Sequence, residues 1–145
     1  MNSTDGRALL SQALSRSIDE MPGGAVCKVL TSVLNYVEGR SSEEPVWGAL
    51  PWQFFREGLE IVPLSPTGQI DDVAALLRYR AGASVPYHVH LGIEHVLVLN
   101  GSQEDEHGRY SCGASTTNPA GTAHSVTSSE GCVVGIVWER PIEFP

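Results

Sequence analysis

The sequence predicts an all-β domain, a barrel or a sandwich, preceded by a short helical arm. From Trp47 onward, short apolar runs alternate with glycine and proline turns. This pattern is typical of β-sandwiches and β-barrels. The chain has 145 residues, which suits one domain, and its fifteen glycines and nine prolines indicate many turns. Before Trp47 the apolar spacing is helical. We therefore assign residues 1–46 to the arm and residues 47–145 to the β domain.

The arm is predicted to contain two helices. Over Ser3–Met21, apolar residues recur at spacings of three and four, the period of an amphipathic helix. Ser3–Asp5 can cap its start, and Pro22–Gly24 can end it. A second helix is expected over Ala25–Glu38, although its many β-branched residues leave a strand as the alternative. The polar stretch Gly39–Pro45 reads as a connector.

The β domain contains six candidate strands separated by turn residues. Their predicted bounds are Leu59–Leu64, Ala74–Arg80, Val96–Leu99, Tyr110–Ser111, Ala123–Val126 and Val133–Glu139. The stretch Val73–Arg80 also fits a helix, because periodicity alone does not separate the two structures there. Asp105–Gly108 is predicted to be a hairpin turn.

Charge and composition exclude several classes of protein. Nine lysines and arginines against seventeen aspartates and glutamates give a net charge of −8, which opposes binding to nucleic acid. The chain has neither a polybasic cluster nor an apolar run of membrane-spanning length, so we expect no membrane partner. Its three cysteines do not form a CxxC pair, so neither a disulfide framework nor a cysteine zinc site is expected. A reducing cytoplasm is the expected location.

The histidines carry the strongest functional signal. His88 and His90 are two residues apart, so on a strand both rings project from one face and can share a metal ion. Glu94 offers the next oxygen donor if the chain turns near Gly92, whose backbone is permissive. His124 follows a turn that would set a new strand beside the first pair.

These residues fall into two spaced motifs. The first reads G-x5-H-x-H-x3-E-x6-G and the second reads G-x5-P-x-G-x2-H. The positions that define them are Gly82, His88, His90, Glu94 and Gly101, then Gly113, Pro119, Gly121 and His124. This pattern resembles the two motifs of the cupin superfamily. The resemblance implies a jelly-roll barrel, also described as a double-stranded β-helix, with His88, His90, Glu94 and His124 as metal ligands. It also implies a homodimer, for which the burial of a sheet edge against a partner supplies a physical motive.

Within the superfamily, the chain is similar to ChrR-type cupin domains over about residues 47–138. The segments that carry this similarity are 93–101, 105–110 and 118–124. In ChrR itself the cupin domain follows a zinc domain that holds a sigma factor. The H-x3-C-x2-C motif of that zinc domain is missing here, since residues 1–46 contain no histidine and only Cys27. A zinc-based anti-sigma domain is therefore not expected.

Three other polar residues near the motifs are not expected to bind metal. His95 follows Glu94 and should face the other side of its strand. His107 lies in the predicted hairpin turn and should be solvated. Ser128 stands where the second cupin motif ends in asparagine, and that asparagine is not a metal ligand in the family.

Three imidazoles and one carboxylate form a mixed nitrogen and oxygen site, which suits one divalent transition metal: Fe, Zn, Mn, Ni or Co. Residues of the same parity as the ligands, Val96 and Val98, are expected to give the pocket an apolar wall. Arg78 or Arg80, on the strand before the first motif, is a candidate cationic group for the pocket. Solvent exposure is the alternative for both arginines.

Three functions are compatible with these features. The first is a metal-binding ChrR-like cupin that binds a small molecule or acts in a stress or metabolite response, with a regulatory protein as a possible partner. The second is a non-haem Fe(II) dioxygenase similar to acetylacetone or quercetin dioxygenase, acting on small diketone-like or enol-like substrates. The third is a structural or interaction protein in which the metal is a staple and the apolar stripe of residues 1–38 docks on a second subunit.

Overall fold

The computed structural model describes residues 6–20, 24–64, 73–140 and 142–145. Helix α1 spans Gly6–Glu20 and helix α2 spans Ala25–Val37, followed by a short 3-10 helix at Trp47–Ala49. The cap expected at Ser3–Asp5 lies outside the described residues, as do Pro22 and Gly23 of the expected stop, whereas Gly24 directly precedes α2. In the part of the chain that the structure describes, neither helix is long and apolar enough to cross a membrane.

Ten strands follow the helices in the described part of the chain. They are β1 (Gln53–Arg56), β2 (Leu59–Leu64), β3 (Val73–Tyr79), β4 (Ala83–His90), β5 (Glu94–Asp105), β6 (Gly108–Ser111), β7 (Ser115–Asn118), β8 (Ala123–Ser128), β9 (Cys132–Trp138) and β10 (Ile142–Glu143). The six predicted strands are confirmed as β2, β3, β5, β6, β8 and β9, with shifts at their ends. The helical alternative for Val73–Arg80 is wrong, because β3 pairs with β2 on one side and β9 on the other.

The strands form a curled antiparallel sheet, as the predicted jelly-roll fold requires. The strand order is β1-β2-β3-β9-β5-β8-β4-β10, and β6 and β7 also pair with β5. Strand β5 belongs to both halves of the barrel: Glu94 to Gly101 pair with β9, whereas Ser102 to Asp105 pair with β6. Gly101 forms the corner, since its φ is +73° and an added Cβ would lie 2.1 Å from the carbonyl oxygen of Gly131.

The predicted hairpin after β5 is also confirmed. Asp105 ends β5 and Gly108 begins β6, so two residues form the loop. Asp105 Oδ1 accepts a hydrogen bond of 2.8 Å from the backbone N–H of His107, a local contact typical of tight turns. Just before this loop, Glu104 of β5 pairs with Thr127 of β8.

The second segment of the arm is a helix, so the strand alternative for Ala25–Glu38 is wrong. Leu30, Val33 and Val37 repeat at helical spacing and are buried on one face of α2. Packing of such an apolar face outweighs the modest helix propensity of β-branched residues. Gly39, whose φ is +77°, follows the end of the helix.

The apolar stripes of the arm pack against the outer face of the chain's own sheet. Leu10, Leu14 and Leu30 are almost completely buried in one cluster with residues of β2, β3, β5 and β9. This corrects the expectation that the stripe of residues 1–38 is left to dock on a second subunit. Strand β9 is consequently buried on both faces, between the arm and the barrel interior, which explains why its sequence is apolar without alternation.

Candidate metal centre

Four side chains from three strands meet inside the barrel. His88 and His90 lie at the end of β4, Glu94 begins β5, and His124 lies on β8 directly opposite His88 in the β4–β8 register. One ligand atom from each side chain lies within 4.8 Å of those of the other three, and all four residues are buried. This group could hold a metal ion.

Glu94 reaches the histidines because the chain reverses between β4 and β5. The turn at Gly92 does not use a left-handed backbone, since Gly92 is not among the glycines with positive φ in the described residues. Its small size matters for another reason. An added Cβ would lie 3.1 Å from both the backbone nitrogen of Arg140 and the Cβ of Glu139, so a side chain would push this turn away from the segment after β9.

The hydrogen bonds of His88 and His124 place their protons on Nδ1. His88 Nδ1 lies 2.9 Å from the carbonyl oxygen of Pro86, and His124 Nδ1 lies 3.0 Å from Oδ2 of Asp105. A carbonyl and a carboxylate can only accept hydrogen bonds, so both rings donate from Nδ1. The lone pair of Nε2 is then available to a metal.

His90 is oriented in the same way through a chain of two hydrogen bonds. Its Nδ1 lies 3.0 Å from Oγ1 of Thr122, and that hydroxyl donates to the carbonyl oxygen of Pro119 at 2.6 Å. Because the single hydroxyl proton is used toward Pro119, the threonine oxygen accepts from His90. The Nε2 atoms of His90 and His124 are buried and have no hydrogen-bond partner among the described residues.

Glu94 supplies a negative charge to the centre. Its Oε1 accepts a hydrogen bond of 2.9 Å from Asn118 Nδ2, and its Oε2 accepts one of 2.7 Å from Trp138 Nε1. Oε1 also lies 3.2 Å from Nε2 of His90. Burial by itself would raise the pKa of Glu94, but the His90 ring, when Nε2 is also protonated, and the Trp138 donor hold the pKa below its ordinary value. The carboxyl group is therefore ionised at neutral pH.

His88 is neutral at the same pH. Burial lowers the pKa of His88, and the neighbouring rings of His124 and His90 lower it further, against the opposing effects of the Pro86 carbonyl and the Glu94 carboxylate. Metal binding requires neutral imidazoles. Together with an ionised carboxylate and two unpartnered Nε2 atoms, these properties fit a divalent transition metal.

A narrow cavity of about 30 Å³ adjoins the centre and reaches His88, Glu94 and His124. Its wall is mostly apolar and includes Val96, as expected from parity. Val98 belongs to the same buried cluster as Val96 but is not among the residues that line the cavity.

Arg78 and Arg80 lie away from this cavity, which corrects their assignment as candidate pocket residues. Leu77 and Tyr79 of β3 face the interior, so the side chain of Arg78 points outward by strand alternation. Arg78 instead pairs with Glu60 at 2.7 Å and stacks over the ring of Trp52. Arg80 is exposed.

The remaining polar residues near the motifs lie away from the group formed by the three histidines and Glu94. His95 faces the arm, where its Cβ would lie 2.8 Å from a Cβ added at Gly6. His107 is exposed in the hairpin loop. Ser128, at the position of the family's asparagine, is fully buried and donates a hydrogen bond to the carbonyl oxygen of Ser102.

Several residues that orient or adjoin the centre were not predicted from the sequence. Asp105 and Gln103 face the interior because a bulge between Val98 and Asn100 shifts the alternation of β5 by one residue. Strict alternation from Glu94 would instead have predicted that the even-numbered residues of β5 face the interior. Gly101, which both the motif and the corner require, was the signal in the sequence that the strand bends there.

Comparison with known proteins places this geometry in context. The sequence model of the ChrR cupin-like domain matches residues 47–141. No protein with a curated description matches the chain. An RmlC-like cupin protein from Ralstonia eutropha is 20% identical with a TM-score of 0.58, and the match covers 63% of this chain. It covers 64% of that protein's chain, slightly less than two thirds.

Two further solved structures share the fold. An acetylacetone dioxygenase from Acinetobacter johnsonii is 17% identical with a TM-score of 0.60, and the match covers 64% of this chain and 70% of that one. The structure of Rhodobacter sphaeroides SigE in complex with the anti-sigma ChrR matches with 20% identity and a TM-score of 0.59. That match covers 93% of this chain and 90% of the other, so it extends beyond the barrel into the arm.

Proposed function

The chain belongs to the family of ChrR cupin-like domains, and we propose that it is a metal-dependent domain that binds a small molecule inside its barrel. His88, His90, Glu94 and His124 would hold one divalent transition metal. The small molecule would occupy the adjoining cavity and contact the metal from there. The binding event would serve a stress or metabolite response.

The unpartnered Nε2 atoms of His90 and His124 carry this proposal. Both atoms are buried and face Glu94, with Oε1 at 3.2 Å from the first and 4.0 Å from the second. A buried nitrogen without a partner destabilises the fold, and a metal ion would remove that cost for both rings at once. The Nδ1 hydrogen bonds of all three rings already select the tautomer that a metal needs.

A bound divalent ion would supply a Lewis-acidic centre for an oxygen atom of the ligand. Four protein ligands leave two positions in an octahedral site and none in a tetrahedral one. The cavity beside His88, Glu94 and His124 is where such open positions would be useful. This observation supports a ligand-binding metal over a purely structural staple.

Metal analysis of variants tests the proposal. The protein would be stripped with a chelator, reloaded with Co²⁺, and measured by elemental analysis and visible absorption. We expect His88→Ala, His90→Ala and His124→Ala to lose most of the bound metal. Glu94→Gln should have a milder effect, because an amide oxygen can still coordinate weakly. The exposed His107 provides the control: His107→Ala should bind like the wild type, whereas full occupancy in His124→Ala would overturn the assignment.

A second candidate function is a non-haem Fe(II) dioxygenase. The observation that favours it is the mostly apolar cavity directly beside the ligands, which would exclude bulk water from a reacting enol. In this case the Fe(II)-loaded protein should consume oxygen with small β-diketones, and the metal-free protein should not. Absence of oxygen uptake across a panel of diketones and enols, with iron shown to be bound, would contradict this candidate.

A regulatory protein partner is a further part of the proposal. The likeness to the complex of SigE with ChrR extends over the arm, which supports testing the arm as a contact surface. The test is capture of a defined regulator by the full chain, with and without metal. If no regulator is recovered under reducing or oxidising conditions, this part of the proposal fails.

A further inference from the structure

Two polar side chains face the cavity on the side contributed by β3 and the second half of β5. Tyr79 ends β3, and Gln103 follows the bulge of β5. Only 5% of Tyr79 and 6% of Gln103 are exposed, and both residues line the cavity. Neither side chain forms a hydrogen bond with any residue that the structure describes. Both polar groups therefore line the cavity without a hydrogen-bond partner among the described residues, and a molecule in the cavity could bond to them.

Such an arrangement indicates a ligand, because burial of a polar group without a hydrogen bond is unfavourable. The Tyr79 hydroxyl stays protonated: burial raises the pKa of Tyr79 far above its ordinary value, and the nearby Cys132 and Glu94 side chains raise it further. It can therefore always donate a hydrogen bond. The Gln103 amide offers both donors and an acceptor.

The rest of the cavity limits what this ligand can be. Leu77, Val96 and Val126 contribute apolar wall, and the described lining residues include no lysine or arginine. A second anionic group opposite the metal would therefore be buried without a positive partner, which is costly. The volume of about 30 Å³ holds about two water-sized groups, so the part of the ligand beyond the metal must be short.

We infer that Tyr79 and Gln103 recognise the uncharged polar end of a short ligand whose other end binds the metal. The ligand class is a small acid or enol with a hydroxyl or carbonyl group a few atoms from its metal-binding oxygen. This inference rests on the proposed metal site. It adds that selectivity among small ligands is set on β3 and β5, away from the histidines.

A pair of isosteric acids tests the inference. 3-Hydroxypropionate and butyrate have equal numbers of heavy atoms and the same carboxylate, and they differ by a terminal hydroxyl in place of a methyl group. Each would be titrated into the Co²⁺-loaded protein, with affinity read from the cobalt absorption spectrum. We expect the wild type to prefer 3-hydroxypropionate on the order of fivefold, the effect of one net hydrogen bond.

The variants Tyr79→Phe and Gln103→Met remove the two polar groups with little change in shape. Each should reduce the preference, chiefly by weakening binding of 3-hydroxypropionate, while Co²⁺ affinity stays unchanged. Tyr87→Phe is the matched control, because Tyr87 is an exposed residue of β4 and its hydroxyl should not affect either acid.

The outcomes separate this inference from the proposed function. If the wild type does not bind Co²⁺, the proposed metal site fails first. If Co²⁺ binds but neither acid does, or the two acids bind equally, the inferred ligand class is wrong. If the preference persists in both variants, Tyr79 and Gln103 are not the groups that recognise the ligand. Thermal unfolding of each variant checks that the barrel is intact.

Discussion

Asp105 accepts a hydrogen bond of 3.0 Å from Nδ1 of His124, and the same carboxylate holds the hairpin loop through its other oxygen. The loop that ends β5 is thereby linked to a candidate metal ligand on β8. Acidic partners of this kind fix the tautomer and orientation of a ligating imidazole and increase its basicity. Asp105 is therefore a positioning residue for His124.

Replacement of Asp105 should weaken metal binding without removing a ligand. We expect Asp105→Leu to lower metal affinity by about 10-fold to 100-fold, as for other partners of ligating histidines. Asp105→Asn should lose less, since the amide oxygen still accepts from Nδ1. Competition titration against a chelator gives the affinity, and ¹⁵N NMR of the metal-free protein reports the His124 tautomer.

Glu106→Gln is the control for this series. Glu106 is the next residue, and its carboxylate binds Ser125 on the exterior, so loss of its charge should leave metal affinity nearly unchanged. Wild-type affinity and tautomer in Asp105→Leu would show that Asp105 does not position His124.

The metal-free protein should lose stability below about pH 6.5 because of His88. The pKa of His88 is lowered by burial and by its neighbouring rings in the folded state, so the unfolded chain takes up a proton at a higher pH than the folded chain. The free energy of unfolding must then fall as the pH drops below the unfolded pKa. One proton sets an upper limit of about 1.4 kcal/mol per pH unit.

Denaturant unfolding between pH 7.5 and pH 5.5, compared with the variant His88→Asn, isolates this contribution. Asparagine can still donate to the Pro86 carbonyl but does not titrate. Glu94 does not interfere in this pH range. Because its pKa is lowered in the folded state, its contribution to the free energy of unfolding is lost only as the pH falls below about 4.5. Parallel curves for wild type and variant across this pH range would contradict the prediction.

The grouping of His88, His90, Glu94 and His124 could be predicted from residue spacing only in part. His88 and His90 are two residues apart on one strand, and His124 lies opposite them across the β4–β8 pairing. The pairing partner of a strand is a long-range property, so residue spacing alone left it open. The family motif supplied it, and the structure places these residues as the motif implies.

The alternation of side chains along a strand did not predict the inward-facing residues where the strands are irregular. The bulge in β5 brings Gln103 and Asp105 inward, and no pattern of apolar residues marks a bulge. Arg78 was a candidate for a different reason. Strand β3 is apolar on both faces, so its sequence did not show which face lines the barrel interior before the position of the arm was known. The arm, which resembled a free amphipathic surface in sequence, covers the sheet.

Arg78 should contribute to stability and not to the metal centre. Its guanidinium group pairs with Glu60 and stacks over Trp52 on the outer face of the sheet. Both contacts are partly exposed to solvent, so we expect Arg78→Ala to cost about 1 kcal/mol of unfolding free energy. Metal affinity should be unchanged. The exposed Arg80 is the control, and a loss of metal or ligand binding specific to Arg78→Ala would restore it as a pocket residue.

The predicted homodimer should use the edge of the sheet at β1. In the described residues β1 pairs only with β2, and Phe54 on this strand is 80% exposed. An open edge with a large apolar side chain favours pairing with a second copy. We expect light scattering after size-exclusion chromatography to show a dimer that Phe54→Ser weakens. Val46→Ser, which changes another exposed apolar residue off the strand, should leave the dimer intact, and a monomeric wild type would refute the prediction.

The packing of the arm on the barrel should depend on the absence of a side chain at Gly135. A Cβ added there would lie 2.3 Å from Cδ2 of Leu10. Leu10 is a buried residue of α1 that packs against β9. Gly135→Ala should therefore cost about 1–3 kcal/mol of unfolding free energy, as other overpacked cores do. Gly48→Ala is the control, because no atom lies within 4 Å of its added Cβ.

Shortening Leu10 separates this clash from a backbone effect. Leu10→Val alone should destabilise the protein, because it removes buried apolar volume. In that background, however, Gly135→Ala should cost less than in the wild type, since the branched end of Leu10 is the group that the new Cβ meets. Denaturant unfolding of the four proteins gives the coupling free energy. Additive effects, with no coupling between the two positions, would mean that α1 does not pack on β9 through Leu10 in solution.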